Sequence, residues 1–321
     1  MLRNLSQPTL GSLAAIGAVF CFSVNDVAIK FLSGAYALHQ VVLIRSTIGL
    51  LFLLALIVPF AGGLRALKTR RLHMHLLRGL CVVFANMSFF LGLAALPLAE
   101  GVAIFFVSPL IITVFSVIFL RETVGPFRWA AVAVGMIGVL VVLRPGTEAF
   151  QPASLLPIAA AFGYASLHML TRHIGKTESS AALSFYIQLT FIAVTAIFGL
   201  VAGDGRFNPG TDPSLEFLLR AWTMPALEDA FIFVAVGVAS AMGGFLISFA
   251  YRTSEAALVA PFEYVALPLS IVWGILVFGD WPDAITYAGI ALILVSGLVI
   301  IWREARSNGP RRVPRTPRYR R

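Results

Sequence analysis

Long apolar stretches separated by short polar connections run through almost the whole chain. Windows of about 17 to 25 apolar residues cross roughly 30 Å of hydrocarbon as a helix. Such windows fall near residues 10–33, 38–60, 74–96, 99–120, 126–143, 153–174, 180–202, 228–250, 255–279 and 284–302. The pattern predicts an all-α membrane protein with ten transmembrane helices and almost no room for a folded domain outside the bilayer.

Landmark residues of the first half of the chain recur in the second half at nearly fixed shifts. Pairs at shifts of 158 or 159 residues are Pro109 with Pro268, Glu122 with Asp280, Gly138 with Gly297 and Arg144 with Arg303, and pairs at 142 are Ser12 with Ser154, Phe20 with Phe162 and Lys30 with Arg172. We interpret residues 1–147 and 148–303 as two copies of a unit with five spans. An odd number of spans inverts the second copy, so we expect two inverted five-helix repeats.

Basic residues predict which end of the bundle faces the cytoplasm, because Lys and Arg in short loops stay on that side. The cluster Arg65, Lys68, Arg70 and Arg71 lies between spans two and three, and further basic residues follow spans four and six. All of these connections share one side. We therefore expect both termini in the cytoplasm.

Composition supports a membrane location and assigns most of the net charge to one segment. Of all residues 59% are hydrophobic and 12% are charged, whereas soluble domains carry roughly a quarter charged residues. The formal charge is +9, and eight Arg against one Glu from Arg303 onward supply +7 of it. Residues 304–321 are predicted to be a disordered basic tail that contacts anionic lipids. RNA or ribosome contact is the lesser alternative, and no nucleic-acid partner is expected.

Glu263 is the carboxylate predicted to lie nearest the membrane midplane. It is about 12 Å into the ninth span, between Pro261 and Pro268. Ionisable groups at this depth usually face a cavity or a partner. Glu263 is therefore a candidate proton-coupling site or a counter-charge for a cationic substrate, and the alternative is a structural acceptor for nearby hydroxyl or amide groups.

Charged residues at similar depth in the first two spans suggest a gate. Asp26 and Arg45 lie in the outer half of the bilayer, and Lys30 follows Asp26 by one helical turn. The alternative is a static network, with a local ion pair between Asp26 and Lys30. Shifts of 142 or 143 residues carry the three positions to the second half, and the complete set of gating candidates is Asp26, Lys30, Arg45, His168, Arg172 and Gln188.

Aromatic and amide side chains near the predicted midplane suggest a binding cavity. Asn86, Tyr164 and Tyr264, together with phenylalanines, would suit a flat or partly cationic ligand. The substrate-binding candidates are Glu263, Tyr264, Asn86, Tyr164 and Phe106, and Phe20, Phe105, Phe162 and Phe245 are further wall candidates. Because aromatic residues make up 12% of the chain, chance clustering is the alternative.

The sequence carries no motif for catalysis, nucleotide binding or metal binding. It has no Gly-x-Ser-x-Gly, no His-Glu-x-x-His and no phosphate-binding loop. His73 and His75 are two residues apart and point to different sides of a helix, and Cys21 and Cys81 fall inside predicted spans. We therefore expect no enzyme activity, no cofactor and no metal site.

Two segments carry a family resemblance that covers nearly the whole chain. They run from Leu96-Pro-Leu-Ala-Glu100 to Arg144-Pro-Gly146 and from Ala260-Pro-Phe-Glu-Tyr264 to Gly279-Asp-Trp-Pro282. In both, a span with Pro is followed by an acidic residue, a short turn and a Gly-rich span. On these features the chain resembles the drug/metabolite transporter superfamily, specifically its EamA-type members with ten helices.

The resemblance implies a carrier of the bacterial inner membrane that works by alternating access around a central cavity, driven by protons or by substrate exchange. Members with a similar Pro-Phe-Glu-Tyr run include S-adenosylmethionine and riboflavin carriers, and others export amino acids or drugs. We expect a secondary transporter of a small metabolite, with an S-adenosylmethionine-like cation as the first candidate. An exporter of amino acids or toxic compounds is the alternative, and a membrane-embedded enzyme is a remote one. No prediction follows for the oligomeric state.

Overall fold

The computed structural model describes residues 7–120, 125–147, 150–174, 178–253 and 262–307. Every regular element in these ranges is a helix. The helices are α1 (Gln7–Leu32), α2 (Leu38–Phe52, extended by a π-helical turn at Leu53–Ile57), α3 (Leu72–Ala95), α4 (Leu98–Phe105), α5 (Ser108–Leu120), α6 (Pro126–Leu143), α7 (Leu155–Ile174), α8 (Ser180–Ala202), α9 (Pro213–Leu219), α10 (Ala230–Thr253), α11 (Ala266–Trp273, extended by a π-helical turn at Gly274–Phe278) and α12 (Ala284–Ser307). Short 3₁₀ turns lie at Gly63–Leu67, Pro152–Ser154 and Leu227–Asp229.

Seven of the described helical segments are long and apolar enough to cross a membrane. They are Leu10–Leu32, Leu38–Ile57, Leu72–Ala95, Leu98–Phe119, Pro152–Thr171, Ser180–Ala202 and Leu227–Ala250, and three shorter apolar helices are Trp129–Leu143, Ala266–Phe278 and Ala284–Val299. The predicted all-α membrane class is confirmed. Residues 254–261, which include the start of the ninth predicted window, and residues 308–321, which form most of the predicted tail, lie outside the described residues.

Two helical segments are interrupted close to a proline. Between α4 and α5 the chain forms a turn at Phe106 and Val107, and before α11 it forms a turn at Tyr264 and Val265. Proline lacks an N–H donor, and its ring clashes with the carbonyl four residues earlier. For Pro109 that carbonyl belongs to Phe105, next to the first turn. For Pro268 it belongs to Tyr264, within the second turn, so both interruptions have the same local cause.

Connections on one end of the bundle are held together by α9 and its flanking residues, and we call this end the α9 end. Asp212 caps α9, because its carboxylate accepts from the Leu215 N–H at 3.0 Å. The opposite end, where α1 begins, is called the N-terminal end.

The segment 203–229 connects α8 to α10, and its hydrogen bonds reach across to the first helices. Ser214 Oγ donates to the Leu91 carbonyl at 2.7 Å. Gln40 Nε2 donates to the Thr223 carbonyl at 2.6 Å, and the Tyr36 hydroxyl donates to Asp229 at 2.6 Å. This segment therefore covers the α9 ends of α2 and α3.

Three pairs of helices pack along each other, and glycines allow a close approach at two further helix crossings. Helix α1 packs along α10, α3 packs along α7, and α6 packs along α12. Gly79 of α3 lies against Thr190 of α8, where an added Cβ would come within 2.2 Å of the Thr190 hydroxyl, and Gly237 of α10 lies against Ile48 of α2, where an added Cβ would come within 2.6 Å. Glycine is needed at both crossings, because any side chain there would overlap the neighbouring helix.

Candidate functional site

The two interrupted helices meet through a pair of aromatic rings. Phe106 lies in the turn between α4 and α5, and Tyr264 lies in the turn before α11. Their ring centroids are 5.3 Å apart. The contact joins the two places where the helical backbone is broken, and it joins the two halves of the chain.

Further rings extend this contact into a continuous set, which we call the aromatic row: Tyr264, Phe106, Phe105, Tyr164, Phe89 and Phe90. Phe105 lies 6.4 Å from Phe106, 5.3 Å from Tyr164 and 4.9 Å from Phe89, and Phe89 lies 5.4 Å from Phe90. Beyond Tyr164 the ring of His168 follows at 4.3 Å. The structure thus brings Phe106, Tyr164 and Tyr264 together, as the sequence predicts.

Glu263 lies beside Tyr264 at one end of the aromatic row. Its side chain is half-buried, and its carboxylate is close enough to interact electrostatically with the phenols of Tyr164 and Tyr264. Tyr264 itself is buried and packs directly on Gly297 of α12. A carboxylate beside two phenols and several rings can accommodate a flat solute with a positive group.

Arg45 lies near the other end of the row, inside a network of amide groups. Its side chain is 1% exposed. Its Nη2 donates to Asn86 Oδ1 at 3.0 Å, and its Nη1 donates to Asn25 Oδ1 at 3.4 Å. The guanidinium lies over the rings of Phe191 at 4.9 Å and Phe90 at 5.9 Å. Asn86, a predicted binding residue, is therefore attached to the row through Arg45.

Asp26 reaches the same network through its neighbour. Asn25 Nδ2 donates to Asp26 Oδ1 at 3.1 Å, so Asn25 stands between the carboxylate and the guanidinium of Arg45. Asp26 also borders a narrow cleft between α1, α4 and α11, lined by Ser23, Leu98, Val102, Ala266 and Ser270 as well. The cleft contains residues from both halves of the chain.

Lys30 has different partners from those expected. Its ammonium donates to the carbonyls of Leu93 at 2.8 Å and Leu96 at 2.5 Å, and it lies 5.2 Å from the centre of the Phe278 ring. Among the described residues no ion pair with Asp26 forms, so that expectation is wrong. Carbonyls at the end of a helix carry partial negative charge, and the end of α3 is a nearer acceptor for Lys30.

The predicted gating residues of the second half are not brought together by the contacts of the described side chains. His168 lies next to Tyr164, whereas Gln188 of α8 packs against Gly49 of α2. The side chain of Arg172 lies outside the described part of the chain. The alignment of Gln188 with Arg45 required a shift of 143 instead of 142, and a one-residue difference turns a helical side chain to another face.

A second buried arginine, Arg78, was not among the residues predicted from the sequence. Arg78 of α3 is 2% exposed, and its Nε donates to Thr171 Oγ1 of α7 at 2.9 Å. It is also close enough to interact electrostatically with His168. The signal was present, because Arg78 falls inside the predicted window 74–96, where a charge is a functional candidate by default.

Some predicted wall residues lie away from the aromatic row. The side chains of Phe20 and Phe162 are 53% and 48% exposed, and Phe245 stacks with Phe249 of its own helix. Phe105 joins the row, but these three do not. Hydropathy alone does not distinguish an inward-facing phenylalanine from one that faces lipid.

Polar contacts at the α9 end connect the last helices of the two halves. Arg144 follows α6 and contacts Asp283, which caps α12 by accepting from the Thr286 N–H at 2.8 Å. The Arg144 guanidinium holds the pKa of Asp283 well below its usual range. The contact joins the end of α6 to the start of α12.

No group of three or more His, Cys, Asp or Glu side chains within the described residues could hold a metal ion. The site consists instead of stacked rings, two buried guanidiniums, amides and carboxylates.

Comparison with known proteins decides the family. The model of the EamA-like transporter family matches residues 9–144. An S-adenosylmethionine uptake transporter of Rickettsia felis is 30% identical over 286 residues, which cover 89% of this chain and 90% of that protein. The chain belongs to the EamA-like transporter family. It is thereby a member of the drug/metabolite transporter superfamily and a membrane transporter.

Other relatives of this chain carry different names. A riboflavin transporter of Vibrio cholerae is 28% identical over 96% of this chain and 98% of its own, and a pseudopaline exporter of Pseudomonas aeruginosa is 28% identical over 90% and 95%. A solved crystal structure matches with a TM-score of 0.67 at 18% identity, covering 93% of this chain and 99% of that chain. This last match shows a shared fold.

Proposed function

We propose that this EamA-family protein is a secondary transporter that moves a small metabolite across the bacterial inner membrane by alternating access. The proposal includes a bundle of ten transmembrane helices built as two inverted five-helix repeats, residues 1–147 and 148–303. We also propose that both termini lie in the cytoplasm. The basic cluster between α2 and α3 supports this orientation, because Lys and Arg in short loops stay on the cytoplasmic side.

Paired contacts between helices support the inverted repeat. The pair Gly79 and Thr190 corresponds to the pair Gly237 and Ile48, because Gly237 follows Gly79 by 158 residues and Thr190 follows Ile48 by 142. A pseudo-two-fold axis exchanges the two halves, so each such contact should occur twice with the roles of the halves reversed.

A second pair of contacts obeys the same two shifts. An added Cβ on Gly163 of α7 would lie 3.1 Å from Cβ of Ala85 in α3, and an added Cβ on Gly243 of α10 would lie 3.2 Å from Cβ of Cys21 in α1. The agreement at two separate helix crossings favours duplication over coincidence.

The observation that carries the function is the meeting of the two helix breaks at Phe106 and Tyr264. In transporters with inverted repeats, discontinuous helices form the substrate site near the midplane, where the repeats meet. Here the breaks are also 158 residues apart, and Glu263 adds a carboxylate beside them. The aromatic row is therefore the proposed substrate site.

The substrate proposed first is a flat solute with a positive group, of the S-adenosylmethionine type. Stacked rings suit a planar base, and Glu263 suits a cation. Relatives named as S-adenosylmethionine uptake and riboflavin transporters are consistent with a planar ring. Asn86, attached to Arg45, would contact the polar part of the solute.

Gating is assigned to both ends of the bundle. Asp26, Lys30 and Arg45 would close the α9 end, since they connect α1, α2 and α3 with the cleft beside α11. His168, with Arg172 and Gln188, would serve the N-terminal end. Protons are the proposed coupling ion, with Glu263 as their candidate site.

Transport by purified protein in proteoliposomes tests the proposal. Uptake of labelled S-adenosylmethionine and of riboflavin is measured with and without a pH gradient. We expect uptake of one of these solutes, and a large loss in Glu263→Gln. The matched control is Glu228→Gln, because Glu228 is an exposed carboxylate at the α9 end. Unchanged transport of every accepted solute by Glu263→Gln would overturn the role of Glu263.

The pseudopaline exporter among the relatives makes export of amino acids or toxic compounds the second candidate. Gene deletion distinguishes the directions. Loss of an uptake system lowers the internal concentration of the substrate, whereas loss of an exporter raises it.

A further inference from the structure

Two buried arginines border the aromatic row, one toward each end of the bundle. Arg45 is the eighth residue of α2 counted from the α9 end, and Arg78 is the seventh residue of α3 counted from the N-terminal end. Each lies about 10 Å inside its helix. Their side chains are 1% and 2% exposed.

Ring contacts and electrostatic proximity link the two guanidiniums to the row. Arg45 lies over Phe90, which leads through Phe89 and Phe105 to Tyr164. Arg78 bonds to Thr171, on the same helix as Tyr164. A solute lying along the row would therefore have a cation within reach toward each end.

Neither guanidinium makes a direct ion pair with a described carboxylate, although Asp26 is close enough to interact electrostatically with Arg45. Arg45 donates to two neutral amides, and Asn25 separates it from Asp26. Arg78 donates to a threonine hydroxyl. In addition, Nε of Arg45 and Nη1 of Arg78 are buried without any hydrogen-bond partner.

Three more exposed arginines of the described chain do contact carboxylates. Arg144, Arg206 and Arg220 each contact a carboxylate, although all three are far less costly to leave unpaired because they are more exposed. A buried cation without an anion is costly, and donors left unused add to that cost. An anionic ligand would satisfy both the charge and the free donors.

We propose that Arg45 and Arg78 are anion-binding residues beside the aromatic row, one toward each end of the bundle, and that the substrate is a flat conjugated ring bearing a carboxylate or phosphate group. The ring stacks on the row, and the anion pairs with Arg45 when the α9 end is open and with Arg78 when the N-terminal end is open. This inference rests on the proposed transport function, and it adds the anion to the substrate described above.

Two matched pairs of compounds test the anion directly. Riboflavin and riboflavin 5′-phosphate differ by one phosphate group, and S-adenosylmethionine and its decarboxylated form differ by one carboxylate. Dissociation constants are measured on the purified full-length protein in detergent. In at least one pair we expect the anion-bearing member to bind about 10- to 100-fold more tightly, the range for a hydrogen-bonded ionic group.

Variants of Arg45 and Arg78 test whether these residues cause the preference for the anion-bearing compound. Arg45→Gln and Arg78→Gln should each reduce the preference for the anion-bearing member, because binding of that member should weaken more than binding of the anion-free member. Arg206→Gln, at an exposed arginine of the α9 end, is the matched control and should keep the full preference. A wild-type protein without preference in both pairs, or full preference in both buried variants, would overturn the proposal.

Asn86→Asp tests the same site without replacing an arginine, so the proposal can be tested even if an arginine variant misfolds. It leaves Arg45 in place but puts a fixed carboxylate beside the guanidinium, so it should remove the preference as well. Retention of the preference in a folded Asn86→Asp protein counts against the proposed site. Because binding is measured without a membrane, the result is separate from transport. Anion-dependent binding without flux would refute the transporter proposal and leave the anion site intact.

Discussion

The ring of Tyr264 lies directly on the backbone of Gly297, in a position that leaves no space for a side chain. An added Cβ on Gly297 would come within 2.0 Å of Cζ and 2.4 Å of the hydroxyl oxygen of Tyr264. This contact holds Tyr264 against Phe106. Gly297 of α12 thereby controls the position of a ring in the proposed substrate site.

Replacing Gly297 by Ala should therefore displace the Tyr264 ring. We expect substrate binding to weaken by about 10-fold or more, because the contact between Tyr264 and Phe106 is lost, whereas the free energy of unfolding should fall by only about 1–3 kcal/mol. Binding assays and thermal unfolding measure the two effects separately.

A second substitution checks the cause. Leucine lacks the ring atoms that meet the new methyl group, so Gly297→Ala should cost less stability in a Tyr264→Leu background than in the wild type. Equal losses of stability in both backgrounds would show that the methyl group meets something other than Tyr264.

The two glycine crossings should respond alike to a methyl group. Gly79→Ala and Gly237→Ala should each destabilise the protein by about 1–3 kcal/mol, since the neighbouring Thr190 and Ile48 cannot retreat without moving a helix. Thermal unfolding in detergent measures the effect. Gly244→Ala, also on α10 but with open space around the position, should be neutral or slightly stabilising. Two unequal effects would argue against equivalent crossings in the two halves.

Lys30 should contribute to stability through the end of α3. Lys30→Met removes the hydrogen bonds to Leu93 and Leu96 and should lower the free energy of unfolding by about 1–3 kcal/mol. Lys30→Gln keeps an N–H donor and should be less destabilising. If Lys30→Met unfolds at the wild-type temperature while its transport is altered, the residue acts in gating without a structural role.

The Arg144 and Asp283 contact predicts a dependence of stability on pH. The pKa of Asp283 is lowered in the folded protein by its hydrogen bond with Arg144, so the folded state binds the proton less tightly than the unfolded state. The stabilisation is present above the unfolded pKa of about 4 and is lost as the pH falls toward the folded value. Because Asp283 is half exposed, the effect is small.

Thermal unfolding of Asp283→Asn between pH 7 and pH 3 measures this dependence. The variant should unfold about 1–3 °C below the wild type at pH 7, and the difference should shrink below pH 4. A difference that grows on acidification would contradict the assignment.

The sequence predicted the positions of the helices more closely than the contacts of their side chains. The length of a run of apolar residues determines where a span begins and ends. For this reason α3, α6 and α8 begin and end within two residues of their predicted windows. Phe106 and Tyr264 were candidates because they are aromatic and lie near the predicted midplane, and the helix breaks at these two residues were not predicted.

The partners of charged residues could not be read in the same way. Lys30 is one turn from Asp26 along the sequence, yet it bonds to carbonyls of α3, more than 60 residues away. Those acceptors are backbone atoms, which carry no sequence signal, and their position depends on where α3 ends in space. Gln188 shows the same limit, because a shift uncertain by one residue decides which helix its side chain contacts.

The segment between α8 and α10 belongs to the second half of the chain, but its bonds to Tyr36, Gln40 and Leu91 tie it to the first half. If one half of the chain rocks against the other during transport, these bonds would hold the segment and the α9 ends of α2 and α3 together. The pivot should therefore lie along this contact. The α9 end would then open on the far edge, beside α4 and α11, where the Lys30 ammonium rests on the Phe278 ring.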